Sequence, residues 1–218
     1  MTAVTRNAPW LEFDLGQPMQ VLSWSLNRPG FVTARRILWR EVRNADLPEG
    51  LDVNAWLQRE LTNNGATDAV TLLTSRPLRY VKEAEAEVEG IHAHALATVG
   101  FSNAERVGHR VDRSGADFGT INVALRVNAG LTQAALLETL SIAVEARTTA
   151  VIEAGHKTPM GLTTGTGTDC VAVAAPQGDM RYAGLHTAVG EAVGRAAYDA
   201  VRAGAVEWME NRQETGHA

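Results

Sequence analysis

Residues 131–155, with the sequence LTQAALLETLSIAVEARTTAVIEAG, constrain the fold more than any other segment because they specify a long helix. Thr132 is placed to cap its N-terminus, and Gly155 is placed to end it. Apolar residues recur at helical spacing along one side: Leu136, Leu140, Val144 and Val151. A helix with one apolar stripe must bury that stripe, so we expect it to pack against another element of the fold.

Arg147 falls inside this apolar stripe when successive residues are turned by about 100°. A guanidinium in such a place needs an anionic partner or a route to water. Glu145 and Asp169 are the two carboxylates considered for the pairing. The sequence leaves the choice between them open.

Short apolar or alternating segments elsewhere in the chain predict a sheet. A turn signal at Arg28-Pro29-Gly30 divides residues 19–42 into a hairpin. Further strands are predicted at residues 68–76, 79–90, 91–100, 119–128 and 170–175, and further helices at residues 51–65 and 185–208. Gly190 and Gly194 lie on adjacent turns of the last helix and predict very close packing there.

Hairpins outnumber strand–helix–strand units along the chain, which favours an α+β fold. We therefore predict a single domain, with a largely antiparallel or mixed sheet and helices packed on it. The predicted domain covers residues 19–208, because no repeat or linker divides this part of the sequence. Residues 1–18 are expected to form an N-terminal extension, and residues 209–218 a disordered tail.

Composition and charge narrow the classes of partner and the cellular setting. A hydrophobic share of 45% and a charged share of 21% are ordinary for a globular protein. A formal net charge of -5 gives no electrostatic reason to expect nucleic acid or an anionic membrane as a partner. The N-terminus is too polar for a secretory signal, and no apolar run approaches the roughly 18 residues of a membrane span. A single cysteine cannot form an internal disulfide, so we expect a cytoplasmic protein.

The segment GLTTGTGTDC, residues 161–170, combines backbone freedom with hydroxyl groups immediately before an apolar strand. A P-loop is excluded, because it requires a lysine and a helix after the glycines, and here a strand follows. The free N–H groups of such a loop can stabilise a carbonyl oxygen as it gains negative charge. The alternative is a surface loop in which Asp169 caps its own turn.

Amide and hydroxyl side chains also concentrate in residues 100–108 and 119–122. Like residues 163–169, each of these segments lies at the end of a predicted strand. We expect the three loops to converge on one rim. They would then form a pocket that recognises a ligand rich in amides or hydroxyls.

The histidines and the single cysteine give weaker signals for chemistry. His92 and His94 lie on one face of a predicted strand, a geometry that zinc accepts, but no second cluster of ligands completes a site. Cys170 begins an apolar strand, where a buried inert thiol is more common than a nucleophile. His186 lies near a predicted helix N-terminus, whose dipole favours a neutral imidazole. A general base and a capping or core histidine both fit that position.

Five segments, in this order, resemble the adenosylcobinamide amidohydrolase family, the corrinoid-salvage enzymes called CbiZ. They are VLSWSLNRPGFVTARRIL, ATVGFSNAERVGHR, GTINVALRVNAGLTQAALLETLSIAVEART, TTGTGTDCVAVAAP and YAGLHTAVGEAVG, and together they span nearly the whole chain. Two positions depart from the family pattern. Arg147 replaces a lysine, which keeps the charge but not the geometry, and Arg28-Pro29-Gly30 stands where the family more often has paired glycines.

The resemblance implies hydrolysis of one amide bond on a corrin ring. Water replaces aminopropanol on the propionyl arm of the ring and releases adenosylcobyric acid, and in some members the substrate is a complete but non-preferred cobamide. The substrate is itself a cobalt corrinoid, so no separate cofactor and no protein-bound metal are expected. A non-catalytic corrinoid carrier or sensor and a different amidohydrolase on the same scaffold are the alternatives. A homodimer is compatible with the sequence, which does not fix the oligomeric state.

The resemblance and the loop chemistry together assign a candidate site. The candidate bases for direct attack by water are Glu145, Asp169 and His186. The residues expected to bind substrate are Ser102, Asn103, Thr120, Asn122, Gly165, Thr166, Gly167 and Thr168. Residues 165–168 are expected to form the oxyanion hole. Attack by the hydroxyl of Thr166 or Thr168 stays open, because no Ser-His-Asp order, nucleophile elbow or zinc signature assigns the parts.

Overall fold

The strands and helices are taken from a computed structural model, which describes residues 3–112 and 119–214 except for the side chains of residues 44, 213 and 214. The strands are β1 (Val4–Asn7), β2 (Trp10–Ser23), β3 (Gly30–Glu41), β4 (Val70–Thr74), β5 (Lys82–Val88), β6 (Ile91–Val99), β7 (Ala104–Glu105), β8 (Ile121–Val127), β9 (Lys157–Thr158), β10 (Gly161–Leu162), β11 (Gly165–Thr166) and β12 (Cys170–Ala175). The helices are α1 (Val53–Asn63), α2 (Gln133–Ala154) and α3 (Ala188–Glu214), with short 3-10 helices at Asn44–Asp46 and Leu78–Tyr80. None of the described helices combines the length and hydrophobicity that crossing a lipid bilayer requires.

One mixed sheet organises the chain, with the strand order β4-β3-β2-β12-β8-β6-β5 and with β1 paired to β2. The β3–β4 and β12–β8 pairs are parallel, and the other pairs of this sheet are antiparallel. Helices α2 and α3 pack on each other and on this sheet. The prediction of a single α+β domain, with a largely antiparallel or mixed sheet and helices packed on it, is confirmed.

The sheet is strongly curled, because side chains from distant strands meet inside it. Strands β4 and β8 are separated by four strand spacings, which is about 19 Å in a flat sheet. The Asn122 amide on β8 nevertheless donates a hydrogen bond of 2.5 Å to the Leu73 carbonyl on β4. Phe13 on β2 and His94 on β6 have ring centroids only 4.8 Å apart. The curl therefore brings the start of β8 close to β4.

Apolar side chains form three cores that follow from this curl. The first fills the inside of the curled sheet and includes Phe13 and Trp39. The second lies between the outer face of the sheet and helices α2 and α3. The third lies between α1 and the outer face of β3. Strand β12 alternates between the first two cores, so all of its residues are buried and its sequence is continuously apolar.

Helix α2 has the ends that the sequence predicts. Thr132 Oγ1 accepts a hydrogen bond of 3.2 Å from the N–H of Ala135 and caps the N-terminus. Gly155 follows the helix with a φ of 84°, a left-handed conformation that glycine adopts without strain. Leu136 and Val151 of the predicted stripe are fully buried. Both capping predictions are confirmed.

Close packing at α3 involves the chain that enters the helix. A Cβ atom on Gly190 would overlap the backbone carbonyls of Ala183 and Gly184, so this position requires glycine. A Cβ atom on Gly194 would meet Ile142 on α2 at an ordinary 3.6 Å. The prediction of very close packing is confirmed for Gly190 and is wrong for Gly194.

Two element boundaries differ from the sequence prediction. The first long strand begins at Trp10 rather than at residue 19, because Leu11, Phe13 and Leu15 alternate with acidic residues and point into the core. Most of the predicted N-terminal extension therefore belongs to the sheet. Helix α3 continues to Glu214, so much of the predicted tail is helical, and residues 215–218 lie outside the described residues.

Candidate active site

Three loops meet beside the N-terminal ends of β8 and β12. The short strands β7 and β11 pair with each other, which joins residues 104–105 to residues 165–166. The Thr120 hydroxyl donates a hydrogen bond of 2.9 Å to the Thr168 carbonyl, which joins the segment before β8 to the Gly/Thr loop. The predicted convergence of the three polar loops is therefore confirmed.

The Asn103 side chain connects the three loops through hydrogen bonds. Its side-chain oxygen accepts a hydrogen bond of 3.2 Å from the Gly119 N–H, and its amide group donates one of 3.4 Å to Thr168 Oγ1. The Thr168 hydroxyl donates in turn to the Gly119 carbonyl at 2.9 Å. Asn103 is 7% exposed, so its hydrogen bonds hold the loops in a fixed arrangement with little competition from water.

Asp169 is the buried centre of this arrangement, with 7% of its side chain exposed. Its Oδ1 atom accepts hydrogen bonds from the Ile121 N–H at 3.0 Å and the Thr166 hydroxyl at 2.5 Å. Its Oδ2 atom accepts one from the Thr166 N–H at 3.0 Å and pairs with the Arg147 guanidinium. Burial raises the pKa of the Asp169 carboxyl above its ordinary value, against the opposing effects of Arg147, Thr166 and Ile121. A carboxyl whose pKa is moved towards neutrality is suited to proton transfer.

Helix α2 delivers Arg147 to this carboxylate. The guanidinium is 12% exposed, and the ion pair with Asp169 explains how a cation is tolerated within an apolar stripe. The choice that the sequence left open is thereby resolved in favour of Asp169. Glu145 instead lies on the exposed side of α2, where it accepts a hydrogen bond of 3.2 Å from the Ser141 hydroxyl.

Gly165 has no room for a side chain beside the ion pair. A Cβ atom at this position would lie 2.5 Å from Asp169 Oδ2 and 2.7 Å from Arg147 Nη1. The glycine in this part of the loop is therefore required by the close approach of the backbone to two charged groups. A Cβ atom on Gly167, two residues later, would have the Asn103 side chain as its nearest neighbour, at an ordinary distance of 3.8 Å.

A cavity of about 780 Å³, called the larger cavity below, opens over this loop. Its lining residues are Trp24, Asn103, Glu105, Arg106, Val107, Gly108, His109, Arg110, Val111, Arg147, Thr164, Gly165, Thr166, Gly167, Thr168 and Asp169. The wall contributed by the segment after β7 carries Arg106 and Arg110. Among the described residues neither of these arginines has a carboxylate partner within ion-pair distance.

A second cavity of about 330 Å³, called the smaller cavity below, adjoins the first. Its lining residues are Trp24, Ser25, Leu26, Val42, Leu47, Thr71, Leu72, Leu73, Ser75, Gly119, Thr120, Asn122, Thr168, Asp169 and Cys170. Three residues, Trp24, Thr168 and Asp169, line both cavities. The indole N–H of Trp24 donates a hydrogen bond of 2.7 Å to the Asp169 carbonyl, so the Trp24 ring is held at the boundary between the cavities.

Most of the residues predicted to bind substrate line one of these cavities. The larger cavity includes Asn103, Gly165, Thr166, Gly167 and Thr168, and the smaller cavity includes Thr120, Asn122 and Thr168. Ser102 is exposed and lines neither cavity. Asn122 donates to the Leu73 carbonyl, so its amide also holds β8 against β4.

The predicted acid–base residues are not brought together. Asp169 lines both cavities, whereas Glu145 and His186 are exposed and line neither. His186 follows a segment whose Ala183 N–H donates a 2.7 Å hydrogen bond to Glu138 near the start of α2. Arg147 lies nine residues further along this helix, a rise of about 14 Å. The catalytic roles of Glu145 and His186 therefore stay predictions without support from their position.

The sequence shows no second cluster of ligands beside His92 and His94, but the structure places two carboxylates next to His94. Its Nε2 atom lies 2.6 Å from Glu83 Oε1 and its Nδ1 atom lies 3.5 Å from Glu85 Oε1, across the β5–β6 pair. These three residues could hold a metal ion, and they line neither cavity. Burial lowers the pKa of His94, against the opposing effect of Glu83. The alternation in KEAEAEV opposite His94 was the signal that the sequence analysis missed.

Trp24, Arg106 and Arg110 are cavity residues that the sequence analysis did not single out. Trp24 follows β2, and the two arginines follow β7, so each lies just beyond a strand, where binding residues are common.

Cys170 is 8% exposed, and burial raises the pKa of its thiol to about 12. The prediction of a buried cysteine is confirmed.

Comparison with known proteins identifies one family. A family model described as adenosylcobinamide amidohydrolase matches residues 1–213. No curated protein matches the chain. The structure is similar to the PH0078 protein from Pyrococcus horikoshii OT3, with a TM-score of 0.45 and 11% identity over 89% of this chain and 76% of that one. It is also similar to the L-aminopeptidase D-Ala-esterase/amidase from Ochrobactrum anthropi, with a TM-score of 0.42 and 13% identity over 96% and 81% of the two chains.

Proposed function

The chain belongs to the adenosylcobinamide amidohydrolase family, and we propose that it hydrolyses the aminopropanol amide of an adenosylated corrinoid. The products are adenosylcobyric acid and aminopropanol, and the reaction serves corrinoid salvage and remodelling. The observation that carries this proposal is the buried carboxylate of Asp169, which accepts a hydrogen bond of 2.5 Å from the Thr166 hydroxyl. Both residues line a cavity of about 780 Å³. A cavity of this size is in the usual range for a large organic ligand.

The polar groups of the larger cavity suit the periphery of a corrin ring. Such a ring carries amide arms, and amides both donate and accept hydrogen bonds. The residues that line it include Thr164, Thr166, Thr168 and Asn103. The open mouth of the cavity leaves the bulk of the macrocycle outside, while one arm reaches Thr166 and Asp169.

Amide hydrolysis requires an activated nucleophile, stabilisation of the oxyanion and a proton for the leaving amine. We assign the role of general base to Asp169, because it is the one of the three candidate bases that lines the larger cavity. Its raised pKa favours taking a proton from the nucleophile and passing it to the leaving nitrogen. Residues 165–168 line the same cavity, and we propose that backbone N–H groups of this loop form the oxyanion hole, apart from those of Thr166 and Thr168, which donate to Asp169 Oδ2 and Thr166 Oγ1.

The nucleophile is either water held at Thr166 or the Thr166 hydroxyl itself. In both routes the proton passes to Asp169 Oδ1, which already accepts the hydrogen bond from this hydroxyl. In the second route a water molecule then hydrolyses the Thr166 ester and releases adenosylcobyric acid. The Thr168 hydroxyl is turned away, since it donates to the Gly119 carbonyl. A covalent ester on Thr166, detected by mass spectrometry after rapid quenching, would establish the second route, and its absence with normal turnover would favour water.

Four further properties belong to the same proposal. The enzyme requires no cofactor beyond the cobalt corrinoid substrate, and it acts in the cytoplasm, in keeping with its single cysteine. A homodimer is the proposed assembly. Nucleic acid is not a proposed partner, because the net charge of -5 would oppose its phosphates.

The test is incubation of the purified protein with adenosylcobinamide, followed by mass spectrometry of the corrinoid and of the released amine. The proposal requires adenosylcobyric acid and aminopropanol in equal amounts. Binding without release of the amine would instead identify a corrinoid carrier or sensor. Release of an amine from other amides, with no action on the corrinoid, would identify a different amidohydrolase.

A further inference from the structure

The smaller cavity has the composition of a site for a flat apolar group. Five aliphatic side chains contribute to its wall: Leu26, Val42, Leu47, Leu72 and Leu73. Its volume of about 330 Å³ is far below that of the larger cavity and is too small for a macrocycle. Because both cavities share Trp24, Thr168 and Asp169, a ligand in the smaller one lies next to the candidate catalytic group.

Trp24 gives this cavity an aromatic surface. The residue is 46% exposed, although tryptophan is a large apolar side chain that folding normally covers. The hydrogen bond of 2.7 Å from its indole N–H to the Asp169 carbonyl fixes the ring in place. A ring that is already fixed loses little entropy when a planar group stacks on it, so stacking there contributes fully to affinity.

Thr71 adds a polar group to the same wall. This residue is 1% exposed, and its hydroxyl has no hydrogen-bond partner among the residues that the structure describes. A buried hydroxyl without a partner is costly, and a hydroxyl can both donate and accept. The ring nitrogens and amino group of a heterocycle offer the matching donors and acceptors, which a purely aliphatic ligand lacks.

We propose that the smaller cavity is a subsite for a planar heteroaromatic base carried by the corrinoid, stacked on Trp24 and hydrogen-bonded to Thr71. This inference rests on the corrinoid substrate of the proposed function. Such a base has two sources: the adenine of the upper adenosyl ligand and the lower base of a complete cobamide. The macrocycle then occupies the mouth of the larger cavity, and the subsite selects substrates by the base that they carry.

The experiment measures the dissociation constants of three corrinoids by calorimetry. Adenosylcobinamide carries an upper base, cyanocobalamin carries a lower base, and cyanocobinamide carries neither. The wild-type protein should bind a base-bearing corrinoid more tightly than cyanocobinamide. Trp24→Ala should weaken that binding by about 10- to 100-fold, the scale of one stacked base. It should weaken the binding of cyanocobinamide by less, because that corrinoid can meet Trp24 only at the larger cavity. The corrinoid that responds identifies the source of the base.

Two further variants separate the subsite from general damage. Leu47→Trp fills the smaller cavity alone, because Leu47 does not line the larger one, and it should reproduce the selective loss. Tyr182→Ala removes an aromatic ring that is 69% exposed and lines neither cavity, and it should change none of the three affinities.

Three outcomes would overturn the subsite. They are equal wild-type affinities for the three corrinoids, equal losses for all three on Trp24→Ala, and no loss with either cavity variant. A wild-type protein that binds no corrinoid would contradict the proposed function and the subsite with it. A protein that hydrolyses adenosylcobinamide but shows no dependence on the base would contradict the subsite alone.

Discussion

The Arg147 guanidinium on α2 pairs with the Asp169 carboxylate immediately before β12, and 12% and 7% of the two side chains are exposed. This pair joins the longest predicted helix to the Gly/Thr loop. It fixes the orientation of Asp169 at the boundary between the larger and smaller cavities. The charge within the helix stripe and the glycine loop are therefore parts of one arrangement.

Arg147→Met should destabilise the fold strongly, because it leaves the buried Asp169 carboxylate without its counter-charge. Removal of one partner of a buried pair costs about 3 to 5 kcal/mol, and urea denaturation measures the loss. Arg195→Met is the matched control, since Arg195 is 60% exposed and pairs with Glu191 on the surface of α3. It should cost at most about 0.5 kcal/mol. Equal stability of the two variants would show that the Arg147–Asp169 pair does not hold the loop.

The main helix and the convergence of the loops could be predicted because both depend on local patterns. Thr132 and Gly155 mark the helix ends through the chemistry of single residues, and the polar loops follow recognisable strands. The curl of the sheet could not be predicted, because it depends on which distant strands pair. That curl, together with the packing of the loops, decides that Trp24 meets Asp169 while Glu145 and His186 remain outside both cavities.

Gly165→Ala should reduce both stability and turnover, because its Cβ atom would lie within 2.7 Å of Arg147 Nη1 and closer still to Asp169. We expect a loss of about 1 to 3 kcal/mol, the usual cost of overpacking, measured by thermal or urea denaturation. Gly167→Ala in the same loop is the control, since its nearest neighbour would be 3.8 Å away. A Gly165→Ala variant as stable as Gly167→Ala would contradict the close approach.

Stability should fall as the pH decreases below about 6.5, because burial lowers the pKa of His94 and of His156 in the folded protein. The sign follows from the unfolded chain, which binds protons on these histidines near their ordinary pKa while the folded protein does not. Urea denaturation at about pH 7.5 and 5.5 measures the change, with at most about 1.4 kcal/mol per pH unit for each group.

His156→Phe should flatten this pH dependence while keeping a ring against Phe101, whose centroid lies 4.9 Å from that of His156. The loss of the contact with Thr163, where His156 Nδ1 lies 2.8 Å from Oγ1, lowers stability at both pH values. A slope unchanged by His156→Phe would show that this residue is not buried in its neutral form.

Prolonged dialysis against EDTA should leave turnover unchanged. The Glu83–Glu85–His94 cluster lines neither cavity, and Arg126 Nη2 lies 3.5 Å from His94 Nδ1, where its charge opposes a bound cation. Glu83→Gln should therefore leave the rate of corrinoid hydrolysis unchanged as well. Activity that disappears on chelation and returns with zinc would contradict this expectation and place a metal in the reaction.

The rate at which Asp169→Asn releases aminopropanol from adenosylcobinamide tests the central claim most directly. This substitution keeps the shape of the side chain but removes the proton acceptor and also the counter-charge of Arg147. In protein that urea denaturation shows to be folded, kcat should therefore fall about 100-fold or more with the corrinoid affinity little changed. Glu145→Gln and His186→Gln are matched controls that should remain within about threefold of the wild-type rate, because neither residue lines a cavity. An Asp169→Asn enzyme with the wild-type rate, or a loss of the same size in either control, would contradict the assignment of Asp169 as the base.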